Sequence, residues 1–291
     1  MKVLSLFDGI SCGRVALERG GVLIDSYDAY EIEPWAIKIS EKNYPDINHH
    51  GDVTKEDFTK YKGYDLLIGG SPCQGFSDAG KRLNFQDERS RLFFEYVRAL
   101  KEAEPKYFLL ENVRMKKEWV KVISDYLGVE PIEIDSALVS AQSRRRLYWT
   151  NIPNVTVPQD KHIYIDDIVQ HGAEYKYLPR TRLDYDNYDK SKVDRTVFKN
   201  MAIEIGCSKK STNGCRSNGK AYALRRICPN GVLDENDNIR FFTPVEAERL
   251  QTLPDNYTFV DGIRDRQRYA VLGNGWTVDV IAHILKNLKG L

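Results

Sequence analysis

Short apolar runs alternate with amphipathic stretches through residues 1–150. The apolar runs are rich in β-branched and aromatic residues, which is typical of buried strands, and the stretches between them show helical spacing. We predict strands over 3–7, 22–30, 64–70, 106–113, 131–138 and 146–152, and helices over 12–20, 34–43, 90–103 and 116–128. Strands that alternate with helices predict an α/β fold with a parallel sheet.

The pattern breaks down over 156–239, where Tyr, Asp, Asn, Lys and Gly dominate. It returns in 243–253, where Thr243 and Pro244 mark a helix start, and in 276–288. We therefore predict one large domain formed by residues 1–155 and 240–291, with a small, irregular domain over 156–239 between them.

Charge is unevenly distributed, although the net charge is only +1. Residues 176–226 contain 13 Lys and Arg against 5 Asp and Glu. Such a concentration indicates a surface for a polyanion, but a solvated basic loop region is an equal alternative.

Composition excludes several classes of protein. No apolar run approaches the roughly 20 residues of a membrane span, and Asp8 interrupts the short apolar N-terminus, so we expect a cytoplasmic protein. The five cysteines have irregular spacing, which does not suggest a disulfide framework. Cys207, Cys215 and Cys228 lack C-x-x-C spacing and a nearby histidine, so we expect no metal.

Residues with cofactor chemistry follow the first predicted strands. The first strand ends in FDGISCG (7–13), whose glycines let a ligand approach the backbone. Glu31 ends the second strand, where an acid typically binds ribose hydroxyls, and Asp52 could face an adenine amino group. These residues indicate a nucleoside-containing cofactor. The G-x-G-x-x-G fingerprint is absent, which disfavours NAD.

Three further segments carry candidate catalytic groups. Cys73 follows a proline and is flanked by glycines, as expected of an exposed nucleophile, although a lone cysteine is usually inert and buried. Glu111 ends the fourth strand and could be an acid or a structural carboxylate. The arginines of QSRRR (142–146) could bind phosphate or lie in a solvated turn.

The motifs FDGISCG, YEIE, GDV, GGSPCQGFS, ENV, QSRRRLY and LGNGWTV occur in a characteristic order. In this order they resemble the conserved blocks of the DNA (cytosine-5)-methyltransferases, from residue 3 to about 288 apart from 156–239. The length and PCQGFS are similar to bacterial and phage enzymes, and the chain ends are similar to the eukaryotic de novo catalytic domain. The resemblance implies a Rossmann-like S-adenosylmethionine-dependent methyltransferase fold, in which 156–239 is the target-recognition domain.

The resemblance also implies a mechanism. The target cytosine leaves the duplex, and the Cys73 thiolate adds to C6 of its ring. Glu111 contacts N3 and the exocyclic amine, Arg144 holds the O2 side or the adjacent phosphate, and Arg146 supports the site. Methyl transfer from S-adenosylmethionine to C5 follows, and residues 74–90 match the family's loop that closes over DNA.

The binding residues implied by the resemblance form two sets. The cofactor set is Phe7, Asp8, Gly9, Ile10, Glu31, Ile32, Asp52, Val53, Pro72, Asn274, Gly275 and Trp276. The set expected to contact DNA is Gln74, Ser77, Gln142, Arg225 and Arg226. The chain departs from the family where Ser11 and Cys12 replace glycines, Ile32 replaces an aromatic residue and Gly275 replaces a serine.

Three alternative functions remain open. A branch of the family methylates tRNA, but its Cys-Phe-Thr triplet is absent here. A catalytically dead binding module would usually lack the nucleophile or the acid, and both Cys73 and Glu111 are present. A nicotinamide-dependent oxidoreductase is disfavoured by the missing glycine fingerprint. The expected partner is double-stranded DNA. A cognate restriction endonuclease and an orphan or phage-protective role are equally consistent.

Overall fold

The fold is described from a computed structural model. It describes residues 1–72, 88–172, 197–203, 215–216, 218–226, 230–234 and 239–290. Cys73, Gln74, Ser77, most of the predicted DNA-closing loop and much of the predicted recognition domain therefore lie outside the described residues.

The described chain forms two compact units. The first unit contains Met1–Ile134, Arg145–Pro158 and Val280–Leu291, and the second contains Asp135–Arg144 and Gln159–Asp279. These units do not follow the boundaries expected at 155 and 240, because the stretch from 240 to 279 packs with the second unit. The assignment of 156–239 as a recognition domain stays a prediction.

A seven-stranded sheet forms the centre of the first unit as far as it is described. Its seven strands are β1 (Lys2–Leu6), β2 (Ser26–Tyr30), β3 (Asn48–His50), β4 (Leu66–Gly69), β5 (Tyr107–Val113), β6 (Ile132–Asp135) and β8 (Arg145–Thr150). Strand β7 (Gln142–Ser143) belongs to another sheet. The order across the sheet is β3-β2-β1-β4-β5-β8-β6.

Strands β3, β2, β1, β4 and β5 are parallel to their neighbours in that order, and β8 is antiparallel to β5. This confirms the predicted α/β fold with a mainly parallel sheet. Because the five parallel strands end at one edge, the segments that follow them are brought to the same side. The antiparallel strand β8 begins at this edge, since Arg146 pairs with Val113 near the end of β5.

Helices cover the sheet: α1 (Cys12–Arg19), α2 (Pro34–Asn43), α3 (Glu88–Ala103) and α4 (Lys117–Leu127). The sheet residues Leu4, Leu67 and Trp149 are fully buried, and so are Phe93 and Tyr96 of α3. Burial of successive strand residues is expected where helices pack on both faces of a parallel sheet. The predicted strand over 22–30 begins only at Ser26, which pairs with Lys2 at the start of β1. Leu23, before this pairing, faces solvent with 85% exposure.

The C-terminal segment of the first unit packs against α1. A Cβ placed on Gly20, which ends α1, would lie 3.2 Å from the backbone nitrogen of Lys286. The C-terminal segment thus contacts the end of the first helix.

The second unit contains mainly short strands: β9 (Met201–Ile203), β10 (Cys215–Arg216), β11 (Ala221–Tyr222), β12 (Gly231–Leu233) and β13 (Ile239–Phe241). The order β10-β9-β12-β13 is antiparallel, and β11 pairs in parallel with β7. Its helices are α5 (Ile165–Ile168), α6 (Pro244–Leu250) and α7 (Asp265–Asn274), and α8 (Val278–Leu285) follows.

Helix α6 agrees with the sequence, since Thr243 and Glu246 form the capping box at its start. Helix α7 was not predicted, because its residues have no helical apolar periodicity. Buried ion pairs between Arg240 and Glu246 and between Arg268 and Glu248 compensate the charges that α6 brings into the interior.

Within the described residues, no helix combines the length and apolar character needed to cross a membrane.

Candidate active site

The connection from β1 to α1 is a tight turn with three residues in the left-handed region. Phe7, Gly9 and Ser11 have φ angles of 58°, 62° and 61°. A Cβ added to Gly9 would meet nothing within 4 Å. The backbone at Gly9 therefore faces open space, as a closely approaching ligand requires.

Glu31 is oriented by backbone amides at the end of β2. Its Oε2 accepts a hydrogen bond from Gly9 N at 2.8 Å, and its Oε1 accepts from the amides of Ile32 and Glu33, both at 2.8 Å. These bonds join the ends of β1 and β2. They leave carboxylate lone pairs for ligand hydroxyls, since each oxygen can accept more than one bond.

Ile32 presents an apolar surface beside this acid. Its side chain is 72% exposed, which is unusual for an isoleucine and suits stacking against a planar base. The other apolar members of the predicted cofactor set are less accessible: Ile10 is 1% exposed and Val53 is 5% exposed.

Asp52 lies beyond β3 at the same edge of the sheet. Its Oδ1 accepts from Thr54 N at 3.0 Å and from Thr54 Oγ1 at 2.8 Å. These two bonds lower the pKa of Asp52 below its usual value. An ionised, partly exposed acceptor fits the amino group of an adenine.

Together, these residues fit the nucleoside part of S-adenosylmethionine. An open backbone turn, an oriented acid for ribose, an exposed apolar side chain and a second acid occupy successive strand ends. Phe7, Asp8 and Pro72 are partly exposed in the first unit, so they remain available to line such a site.

The segment before Cys73 is attached to the end of β5. Gly69 pairs with Leu110, and the chain continues through Ser71 and Pro72. Asn112 Nδ2 donates to Ser71 Oγ at 3.4 Å, and both side chains are buried. The sequence interpretation gave Asn112 no role. The position of Asn112 within the ENV motif is the one feature of the sequence that could have indicated a role for it.

Glu111 and Arg146 form an ion pair across β5 and β8. Arg146 Nε lies 3.0 Å from Glu111 Oε1, and the two side chains are 17% and 12% exposed. Glu111 is opposite Tyr148, so Arg146 is its diagonal neighbour on the same sheet face. The structure thus brings together two of the four predicted catalytic residues.

Arg144 belongs to the second unit and is 5% exposed. Its guanidinium donates to three backbone carbonyls: those of Leu224 at 2.9 Å, Gly273 at 3.1 Å and Gly275 at 3.1 Å. This arrangement favours a role in joining two loops and a helix end over direct contact with a substrate.

Gln142, expected to contact DNA, is fully buried in the second unit. Its Nε2 donates to Leu250 O at 2.6 Å and Gln251 Oε1 at 2.8 Å, and its Oε1 accepts from Leu224 N at 3.2 Å. These internal bonds favour a structural role for this side chain.

Arg225 and Arg226 are exposed, as a DNA-contacting role requires. A Cβ on Gly273 would lie 2.4 Å from Arg225 C and 2.5 Å from Arg226 N. The arginine pair therefore packs directly on the end of α7, and only glycine fits there. Asn274, Gly275 and Trp276 follow this contact. They are not buried, and their cofactor role stays a prediction.

The sequence model of the family "C-5 cytosine-specific DNA methylase" matches residues 1–127 and 133–290. The chain is 30% identical to the type II methyltransferase M1.ScrFI of Lactococcus lactis subsp. cremoris, over 99% of this chain and 77% of that protein. It is 28% identical to the type II methyltransferase M.NlaX of Neisseria lactamica, over 99% and 96% of the two chains.

The fold is similar to that of a solved structure of the Entamoeba histolytica methyltransferase EhMeth. The TM-score is 0.74 with 20% identity, over 99% of this chain and 97% of that chain. This likeness confirms the expected Rossmann-like methyltransferase fold. With the family match over almost the whole chain, it follows that the protein belongs to the C-5 cytosine-specific DNA methylases and is a DNA (cytosine-5)-methyltransferase.

Proposed function

We propose that this enzyme methylates C5 of cytosine in a specific duplex DNA sequence, through a covalent bond between Cys73 and C6 of a flipped-out base. The observation that carries the proposal is the Glu111–Arg146 pair, set at the sheet edge where the segment leading to Cys73 also ends. A pyrimidine bound there would meet an acid and a guanidinium in a fixed arrangement.

The first step is the capture of the base. C5 and C6 cannot be reached inside a stacked duplex, so the cytosine must leave the helix. The Cys73 thiolate then adds to C6, and the electron pair moves toward N3 and C5. Pro72 and the Asn112–Ser71 contact support the start of the cysteine segment.

Glu111 would hold the ring through N3 and the exocyclic amine. The bond from Arg146 orients its carboxylate, and a neighbouring cation also stabilises negative charge developing on the pyrimidine. We therefore propose Arg146, rather than Arg144, as the arginine beside the base. Arg144, bound to three carbonyls, would instead organise the second unit.

Phe7, Asp8, Gly9, Glu31, Ile32 and Asp52 would hold S-adenosylmethionine. When bound, this cofactor supplies an electrophilic methyl group to C5. Removal of the C5 proton and departure of the Cys73 sulfur from C6 then restore the aromatic ring and free the enzyme.

The second unit would bind DNA through its basic residues. Arg225 and Arg226 are exposed, and residues 176–226 carry the surplus of positive charge. Phosphate contacts would position the duplex, while side chains of the recognition region read base edges. A partner endonuclease for the same site and an orphan, phage-protective role are equally consistent with this proposal. We place the enzyme in the bacterial cytoplasm.

Covalent trapping tests the mechanism. Fluorine at C5 blocks release of the Cys73 adduct after methyl transfer, so duplex DNA containing 5-fluorocytosine should form a complex that survives denaturation. We expect this complex with wild-type protein and S-adenosylmethionine, and none with Cys73→Ser. Its absence with active wild-type protein would overturn the covalent route.

Bisulfite sequencing of plasmid from expressing cells tests the substrate and the target together. Methylated cytosines in one recurring sequence would support the proposal. An assay of duplex DNA and tRNA side by side separates it from the RNA alternative, which methylation of tRNA alone would establish.

A further inference from the structure

The hydroxyl of Ser11 does not make the hydrogen bond that is usual for a serine at a helix N-cap. Ser11 is the N-cap residue of α1, where a serine normally accepts a hydrogen bond from the first turn, but it makes no such bond. Instead, Ser11 Oγ donates to Asp8 Oδ2 at 2.6 Å and is hydrogen-bonded to Ser40 Oγ of α2. Both serine side chains are fully buried.

Counting protons gives this chain of bonds a direction. The Asp8 carboxylate only accepts hydrogen bonds, so the single hydroxyl proton of Ser11 points toward it. The bond between Ser11 and Ser40 must then use the proton of Ser40. Ser40 Oγ lies 3.2 Å from His49 Nε2, which must donate because Ser40 has no second proton.

The other ring nitrogen of His49 agrees with this assignment. Nδ1 is buried and has no hydrogen-bond partner among the described residues. If Nε2 carries the proton of a neutral imidazole, Nδ1 carries none, and no buried donor is left unsatisfied. With this assignment, the only atom of the His49 ring left unsatisfied by the described residues is an acceptor, Nδ1.

The other carboxylate oxygen of Asp8 is also hydrogen-bonded. Its Oδ1 accepts from Ser5 Oγ at 2.6 Å and from Tyr27 OH at 2.7 Å. Both carboxylate oxygens are thus bound by hydroxyls inside the unit. Asp8 lies between Phe7 and Gly9 in the turn from β1 to α1, where the backbone at Gly9 faces open space.

We propose that His49, Ser40 and Ser11 form a directed hydrogen-bond relay that positions Asp8 and the adjoining turn for the cofactor. This inference rests on the proposed function of the turn as part of the S-adenosylmethionine site. Ser11 and Ser40 are positioning residues, since they act through Asp8. The left-handed φ of Ser11, uncommon for a residue with a Cβ, is retained because its hydroxyl joins Asp8 to α2.

Calorimetric titration with S-adenosylhomocysteine tests the relay. Ser11→Gly keeps the backbone conformation, because glycine adopts positive φ readily, and removes the hydroxyl together with its Cβ. We expect affinity to fall about 10-fold, as for loss of a hydrogen bond to a charged group, and Ser40→Ala to fall similarly. Glu41→Ala, an exposed change on the same helix, is the control and should bind like wild type.

Nitrogen NMR of labelled histidine gives a readout that a merely structural role would not move. We expect His49 to be the Nε2–H tautomer in wild type and to change in Ser40→Ala. A proton on Nδ1, or wild-type affinity in Ser11→Gly, would overturn the relay. If wild-type protein itself fails to bind S-adenosylhomocysteine, the proposed cofactor site fails instead, and the tautomer still decides the relay.

Discussion

Arg146 Nε lies 3.0 Å from Glu111 Oε1, although the two residues are 35 positions apart in the chain. Their meeting depends on the antiparallel pairing of β8 with β5, which places Arg146 opposite Val113. A strand parallel to β5 would start at the opposite edge of the sheet and could not present this arginine to the acid.

Removal of Arg146 should therefore affect the chemistry more than binding. We expect Arg146→Ala to lower kcat about 100-fold, because the carboxylate loses its orienting cation and the ring loses a nearby positive charge. Arg145→Ala is the matched control, since Arg145 is exposed and lies 3.9 Å from Glu133. Single-turnover methylation should separate the two variants, and equal rates would contradict the pairing as a catalytic feature.

Glu111→Gln should keep the shape of the site while removing the acid. We expect the methylation rate to fall by about 100-fold or more, as is typical when an acid–base group is lost, with DNA affinity retained. Rates at saturating cofactor, together with a DNA-binding titration, check this. A rate equal to that of wild type would show that another group activates the ring.

Cys73→Ser should abolish methyl transfer, because a serine hydroxyl is a far weaker nucleophile at neutral pH than a cysteine thiol. DNA affinity should remain close to that of wild type. Methyl incorporation from labelled cofactor measures the loss, and wild-type turnover in this variant would refute the nucleophile assignment.

Arg225 and Arg226 should contribute to DNA binding through phosphate contacts. We expect each alanine variant to weaken binding to all sequences alike and to reduce the slope of log affinity against log salt by about 0.9. Lys121→Ala on α4 of the first unit is the control, since Lys121 is exposed and pairs with Asp125. An unchanged slope in the double variant would exclude these residues from the DNA interface.

Gly273→Ala should destabilise the protein by about 2 kcal/mol, because the new Cβ would overlap the backbone of Arg225 and Arg226. Gly51→Ala is the matched control, since its Cβ would meet nothing within 4 Å. Urea unfolding measures both free energies. Equal stability of the two variants would show that the arginine segment does not depend on this close approach.

Much of the fold was predictable from local pattern. Alternating strands and helices in residues 1–150 predicted the parallel sheet, and the helix start at Thr243 and Pro244 was recognised from capping chemistry. Helix α7 escaped prediction because it lacks apolar periodicity, and its buried Arg268 pairs with Glu248 of α6. Such a compensation is invisible in a single segment.

The sequence by itself determined the family, the order of its motifs and the set of residue types at the strand ends, because local patterning and motif spacing are properties of the chain alone. Only the tertiary structure decided which of these residues meet. Sheet order and strand direction pair Arg146 with Glu111, three backbone carbonyls bind Arg144, and the relay joins Ser11 to His49. These relationships are contacts between residues that are distant in the chain. The burial of apolar surface brings such residues together, and the local sequence around each residue does not indicate its partner.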